Sequence, residues 1–256
     1  MNTKTLLAAL TATTALAAGS ASAATVWNVN VGNSTVGSSN AITTTDNYVG
    51  AATENTANST WNGISNTDLT TLADSTGDNI AGVTFKITAD PSSAIDFGGQ
   101  NITGDEIFNT WIKDNGNNDT FDITFGNLST TASYSLVVYS DWFWGSNAVP
   151  VEQTAGTGLT GTFTINSPRL AADLVNVGVG GVGPLLEDTN AANSLDAFTN
   201  YARFDGLKAD GLGNLSFDMG GVDGPINGFQ LVEVPEPGSL AILGLGGLSM
   251  LCRRRR

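Results

Sequence analysis

Short runs of alternating or β-branched residues recur along the body of this chain, separated by clusters of Asn, Asp and Gly, and no stretch sustains a helical period. The clearest are Thr25 to Val31, Val83 to Thr88, Phe121 to Phe125, Tyr134 to Tyr139, Thr160 to Ile165, Leu215 to Phe217 and Ile226 to Val232. Many short strands without intervening helices bury their apolar faces only by pairing two sheets or closing one, so the pattern predicts an all-β, antiparallel sandwich or barrel. A length of 256 residues is ordinary for a single sandwich. Minor helices fit Asp68 to Ala73 or Gly104 to Lys113, where acidic residues stand early as the first turn of a helix prefers. Gly32 to Ser59 and the Gly-rich Val177 to Leu195 read as long loops. No repeat of fixed period is present, which argues against a solenoid or propeller.

Residue usage removes much of enzymology. The chain has no His and one Cys, Cys252, so it holds no Ser-His-Asp triad, no Cys-His dyad and no ordinary His/Cys metal site. Ten basic residues stand against 24 acidic ones, a net charge of −14. Nucleic-acid binders draw affinity from Lys and Arg on phosphates, so no nucleic-acid partner is expected.

The two ends are unlike the body. Lys4, an apolar Ala/Thr/Leu run to Ala18 and small residues at Ala21 and Ala23 form the three parts of a secretory signal peptide over residues 1–23, cut by signal peptidase before Ala24. A buried N-terminal helix is the weaker reading. Near the other end stand Val234, Pro235, Glu236 and Pro237, then an apolar span from Gly238 to Cys252, then Arg253, Arg254, Arg255 and Arg256. As a helix the span is ~22 Å long against a ~30 Å hydrocarbon core, a short transmembrane helix whose flanks must snorkel. The arginines favour a cytoplasmic end. The prolines keep Val234 to Pro237 extended, so a helix starts only after Pro237. Cys252 reads as a small apolar residue rather than a lipidated one.

The tripeptide Pro235-Glu236-Pro237, the Leu/Gly-rich span and the Arg cluster resemble the sorting signal of PEP-CTERM proteins. That resemblance implies processing of residues 234–256 by an exosortase, an integral membrane transpeptidase, after transient anchoring in the inner membrane, with delivery to the cell surface or extracellular matrix. Without both ends the body, residues 24–233, keeps five basic residues (Lys86, Lys113, Arg169, Arg203, Lys208), and the processed chain carries a charge of about −19 when cut after Pro237. An anionic polysaccharide then has to be held through divalent cations or neutral hydroxyls.

Within the body, Phe125-Gly-Asn-Leu128, Tyr134 to Tyr139, Tyr201 to Phe204, Asp210-Gly-Leu-Gly-Asn-Leu215 and Ile226 to Leu231 are similar to malectin-like and galactose-binding-like jelly rolls. The resemblance implies a jelly-roll-like sandwich, a hairpin turning at Asp210 to Asn214, a last strand that closes the fold, and a carbohydrate-binding or adhesive role. Three candidate sites follow. Asp141, Trp142 and Trp144 offer rings that stack on a sugar beside polar groups, against the plainer reading that the Trp pair caps the core. Trp27, Trp61 and Trp111 read as core or sheet-edge residues. Asp114, Asp119 and Asp122 flank an oxygen-rich loop, a weak Ca²⁺ candidate that lacks EF-hand spacing and is better read as a solvated turn. Val177 to Gly183 lacks the Lys-Ser/Thr ending of a phosphate loop and the strand-helix frame of a dinucleotide fold, and reads as a flexible loop. No catalytic residue and no resident cofactor is assigned. The expected protein is an exported structural or carbohydrate-binding component of the exopolysaccharide matrix, with a secreted Asp/Glu-dependent glycoside hydrolase or lyase as the alternative.

Overall fold

The computed structural model describes residues 24–32, 50–55, 59–79, 82–89, 95–99, 107, 110–114, 120–140, 146–168, 201–220 and 224–234. In chain order the strands are β1 (Thr25–Val31), β2 (Trp61–Ile64), β3 (Thr70–Thr71), β4 (Thr84–Ala89), β5 (Ile95–Gly99), β6 (Thr110–Asp114), β7 (Thr120–Gly126), β8 (Ser133–Tyr139), β9 (Ser146–Ala155), β10 (Thr162–Pro168), β11 (Tyr201–Leu207), β12 (Leu215–Gly220) and β13 (Gly228–Val234). They form a five-stranded sheet in the order β11-β8-β13-β1-β2, a six-stranded sheet in the order β10-β9-β12-β7-β4-β3, and the separate hairpin β5-β6. Every pairing is antiparallel except β1 with β2.

Alternation decides which faces meet. In β7 Phe121, Ile123 and Phe125 are buried while Asp122 is exposed; in β1 Trp27, Val29 and Val31 point into the same core. Phe229 of β13 crosses the gap between sheets, its ring 5.7 Å from Phe85 and 6.3 Å from Phe125, and Phe163 meets Phe204 edge-on at 5.1 Å on the other flank. These contacts join the two sheets into a sandwich. From β7 onward the chain changes sheet between β7 and β8, β8 and β9, β10 and β11, β11 and β12, and β12 and β13. Five crossings in seven strands interlock the layers.

The last strand is central rather than peripheral. β13 pairs with β8 over Gly228 to Val234 and with β1 over Gly228 to Glu233, so the closing strand sits between the first strand and the middle of the chain. The parallel partner β2 needs a crossover, since parallel neighbours cannot be joined by a tight turn. Residues 50–55 and 59–60 belong to that crossover.

Several expectations are corrected. Among the described residues there is no α-helix: Thr70–Thr71 is a strand where Asp68 to Ala73 suggested a helix, and Thr110–Asp114 is strand β6 where Gly104 to Lys113 did. Thr110 and Ile112 are buried and Ile112 exchanges backbone hydrogen bonds with Ile226, so tertiary pairing outweighs the early acidic residues. Asp210 to Asn214 does not turn a hairpin. It carries the chain from β11 in one sheet to β12 in the other, with Gly213 at φ +80° and Asp210 Oδ1 accepting from the N–H groups of Leu212 and Asn214. Those backbone N–H groups, that of Asn214 first, hold the Asp210 carboxyl below its ordinary value. The signal segment 1–23, the tail 235–256 and the loop 177–195 lie outside the described residues, and no helix among the described residues is long and apolar enough to cross a membrane.

Phe229→Ala removes the ring shared by both sheets. The expected loss is ~3–5 kcal/mol, read as a lower midpoint in urea unfolding with an unchanged slope. A loss under ~1 kcal/mol would mean that the ring does not bridge the layers.

Candidate functional site

The two outer faces of the sandwich differ in kind. On the five-stranded sheet, alternation turns Asn28, Asn30, Tyr139, Gln230, Val26 and Val232 outward, yet all are buried. Asn30 is held by Ile107, Thr110 and Asn227, its Nδ2 donating to the Ile107 and Asn227 carbonyls at 3.4 and 3.2 Å and its Oδ1 accepting from the Thr110 hydroxyl at 3.0 Å; the crossover covers Asn28, Tyr139 and Gln230. Ala51 N–H donates to the Tyr139 hydroxyl, Ala52 N–H donates to Gln230 Oε1 at 2.9 Å, and the Tyr139 hydroxyl donates to the same Gln230 oxygen. Gln230 Nε2 and Asn55 Nδ2 both donate to Asn28 Oδ1, at 2.8 and 3.3 Å, while Asn28 Nδ2 donates to the Thr60 carbonyl. Gly50 fits only as glycine: φ is +74°, and a Cβ there would stand 2.6 Å from the Tyr139 hydroxyl.

An ion pair fastens the same segment from the sheet edge. Arg203 on β11 forks onto Glu54, with Nη2 2.8 Å from Oε1 and Nη1 3.1 Å from Oε2, and its Nε donates to Asp205 at 2.9 Å. The guanidinium holds the Glu54 carboxyl below its ordinary value. Burial pushes Asp205 up, but hydrogen bonds from Ser135 and Arg203 together outweigh it and leave that carboxyl lowered. Buried polar groups are stable when each finds a partner, and this layer largely meets that condition. The face is therefore occupied by the chain itself.

The six-stranded sheet is open. Register places Thr88, Asp122, Asp218, Glu152 and Thr162 on one rung across β4, β7, β12, β9 and β10. At ~4.8 Å between neighbouring strands the rung is ~19 Å long. Thr154 Oγ1 donates to Asp122 at 3.4 Å and Thr162 Oγ1 to Glu152 at 3.5 Å. On the adjoining rung Lys86 lies opposite Thr124, whose hydroxyl is 2.8 Å from that of Ser216. Asp218 Oδ1 is a buried oxygen without a hydrogen-bond partner among the described residues. Partial desolvation, then the charge of Asp218, raise the Asp122 carboxyl above its ordinary value. This rung offers acceptors in a line to hydroxyl donors, and it repels anions.

Of the sequence candidates, Asp122 is on this rung, facing Asp218 rather than a loop. Asp119 lies outside the described residues, and Asp114 ends β6 with its side chain outside them. No group of three or more His, Cys, Asp or Glu gathers closely enough for a metal among the described residues. Asp141, Trp142 and Trp144 fall between β8 and β9, outside the described residues, as do Ala21, Ala23, Pro235, Glu236, Pro237 and Arg253 to Arg256. Ala24 is half-buried, next to the start of β1. Trp27 is in the core, Trp61 is buried on edge strand β2, and Trp111 on β6 has Lys113 Nζ 5.5 Å from its ring centre. The rung itself was hidden in the sequence, because Asp122, Glu152 and Asp218 are far apart in the chain and meet only through register.

Val234 is the last residue of β13, paired with Ser133, and it adjoins Pro235. Residues 233–256 are a PEP-CTERM protein-sorting motif. The PEP-CTERM motif implies export and exosortase-dependent sorting to the cell surface, and it begins inside the closing strand of the sandwich. No curated protein matches the chain. Two solved structures are similar to parts of it. One is the GH26-CBM35 β-(1,4)-mannanase of Podospora anserina, 13% identical at a TM-score of 0.30, covering 60% of this chain and 28% of that one. The other is the exo-β-1,3-galactanase of Phanerochaete chrysosporium with β-1,3-galactotriose, 11% identical at 0.29, covering 57% and 27%. The chain spans under a third of either enzyme, and superpositions of this quality leave the sandwich to be judged from its own sheets.

Two predictions follow from the contrast between the faces. An aspartate whose pKa is raised on folding stabilises the fold at low pH, and that contribution fades as pH climbs from the ordinary value of 3.8 through the raised one. Asp122→Asn is thus expected to raise thermal stability at pH 7 by ~0.2–1 kcal/mol, with the gain vanishing below pH ~3.5; a gain that persists at pH 3 would contradict the repulsion. Glu54 has the opposite sign: its lowered pKa stabilises above the ordinary 4.5 and is lost as pH falls through the lowered value. Arg203→Ala is expected to cost ~1.5–3 kcal/mol at pH 7 and to speed proteolysis within residues 50–60. Unchanged cleavage there would show that the fork does not hold the crossover.

Proposed function

We propose that this protein is an exported β-sandwich, jelly-roll-like in its crossings, that an exosortase sorts to the cell surface or extracellular matrix, where it serves as a structural or carbohydrate-binding component of exopolysaccharide. The observation that carries this reading is the direct junction of the PEP-CTERM motif to the closing strand: what precedes the motif is one folded body, and that body is the cargo. Signal peptidase would release the body before Ala24, and the exosortase would act within Val234, Pro235, Glu236 and Pro237 while the span up to Cys252 and the Arg cluster hold the chain at the inner membrane.

The open rung supports a neutral glycan rather than an acidic one. Asp122, Asp218, Glu152, Thr88 and Thr162 accept from sugar hydroxyls, whereas uronate or sulfate groups need a bridging cation such as Ca²⁺. Asp141, Trp142 and Trp144 remain the proposed stacking residues, in the connection that leads into β9. One observation favours the second reading, a carboxylate-dependent glycoside hydrolase or lyase: Asp122 and Asp218 stand directly opposite, with Asp122 raised as a general acid must be.

Mass spectrometry of the exported protein is expected to find the signal and the arginines gone. An intact terminus bearing all four arginines would remove the support for processing. On a polysaccharide array, retention abolished by Trp142→Ala with Trp144→Ala marks the binding role, and retention on no glycan leaves the structural one. Release of reducing or unsaturated ends that Asp218→Asn abolishes would establish the enzyme instead.

A further inference from the structure

The junction between strand and tail leaves no spacer. The sorting motif begins at Glu233, while β13 runs through Val234. Glu233 pairs with Thr25 on one side and Tyr134 on the other, and Val234 pairs with Ser133. Val232, one residue earlier, is wholly buried. Tyr134 records how closed this corner is: burial, then the charge of Glu233, push its phenol up to about 12. The first residue of β1 lies on the same rung, so the start of the folded body and its end adjoin.

Enzymes that cut and join peptides hold the substrate as an extended strand, through main-chain hydrogen bonds that run some residues to either side of the reacting bond. The backbone of Glu233 and Val234 cannot serve the sheet and an enzyme at once. Pro235 donates no N–H, so the ladder stops there, and the proline-bracketed segment is only three residues long. We propose that exosortase processing is controlled by the end of β13: the tail is released when Glu233 and Val234 have left, or have not yet entered, their rungs against β1 and β8. The inference rests on the sorting reading above and adds a rule to it. Strand ends open at low free-energy cost, whereas opening as far as Val232 uncovers a wholly buried side chain, so the enzyme's reach into the body is confined to two residues. Processing and completion of the sandwich then compete for the same backbone.

The test follows conversion of the full precursor to the processed form in cells that carry the exosortase, by pulse-chase. One variant inserts six Gly/Ser residues between Val234 and Pro235, giving the enzyme a free strand. A second joins Ser133→Cys to Val234→Cys in a Cys252→Ser background, because paired Cα atoms of an antiparallel ladder lie within disulfide range. Val234→Cys with Cys252→Ser alone is its control. The spacer is expected to speed processing roughly tenfold and the cross-link to slow it roughly tenfold relative to the control, since both act on the opening step. Equal rates for wild type, spacer and cross-linked chains would overturn this inference and leave sorting intact. Absence of any processing in the wild type would overturn the sorting reading and this inference with it.

Discussion

The pairing of β13 between β1 and β8 is the constraint from which the rest follows. A strand in the middle of a sheet must satisfy hydrogen bonds on both edges, and here its partners are the first strand of the body and one from the middle. Phe229 projects from the same strand into Phe85 and Phe125, so the ladder and the inter-sheet packing are fastened at one place. Gln230, one residue on, points the other way and anchors the crossover through Ala52 and Asn28. One seven-residue strand thereby ties the core, the covered outer face and the sorting tail together.

That arrangement separates the faces by role. The five-stranded sheet turns polar side chains outward and then buries them, Asn28, Tyr139 and Gln230 beneath its own crossover and Asn30 against Ile107 and Thr110, with amides, a tyrosine and an Arg–Glu fork satisfying one another. The six-stranded sheet leaves Asp122 and Glu152 exposed with Asp218 half-buried between them, and Asp122 opposite Asp218 carries a repulsion that folding alone does not require. Retaining like charges face to face in an open position is compatible with hydroxyl-rich partners and incompatible with bare polyanions.

How far the sequence reveals this differs by element. Thr25 to Val31 and Phe121 to Phe125 alternate cleanly, because one side of each faces the common core, and the seven expected runs all contain strands. Strand β9 contains Pro150, a residue that ordinarily argues against a central strand; β12 pairs with β9 only as far as Val151, so the proline lies beyond that ladder and faces β10 alone. Strands β2, β3, β5 and β6 are short and carry little pattern of their own; β2 pairs with β1 across a long crossover, and β6 bridges to Ile226 from far along the chain. The acidic rung could not be read from spacing, since register decides it. The sorting motif, by contrast, is a local pattern, and local patterns survive without a fold.

The central claim is that the strand which closes the sandwich is also the one from which the tail departs. Amide hydrogen exchange on the exported protein tests it most directly. The account predicts that residues 228–232 exchange among the slowest in the molecule, together with 26–31 and 134–139 and only through global unfolding, while 233–234 exchange earlier. Exchange of 228–232 at the rate of exposed turns, with β4 and β7 still protected, would show that the sandwich closes without its last strand and would contradict the account.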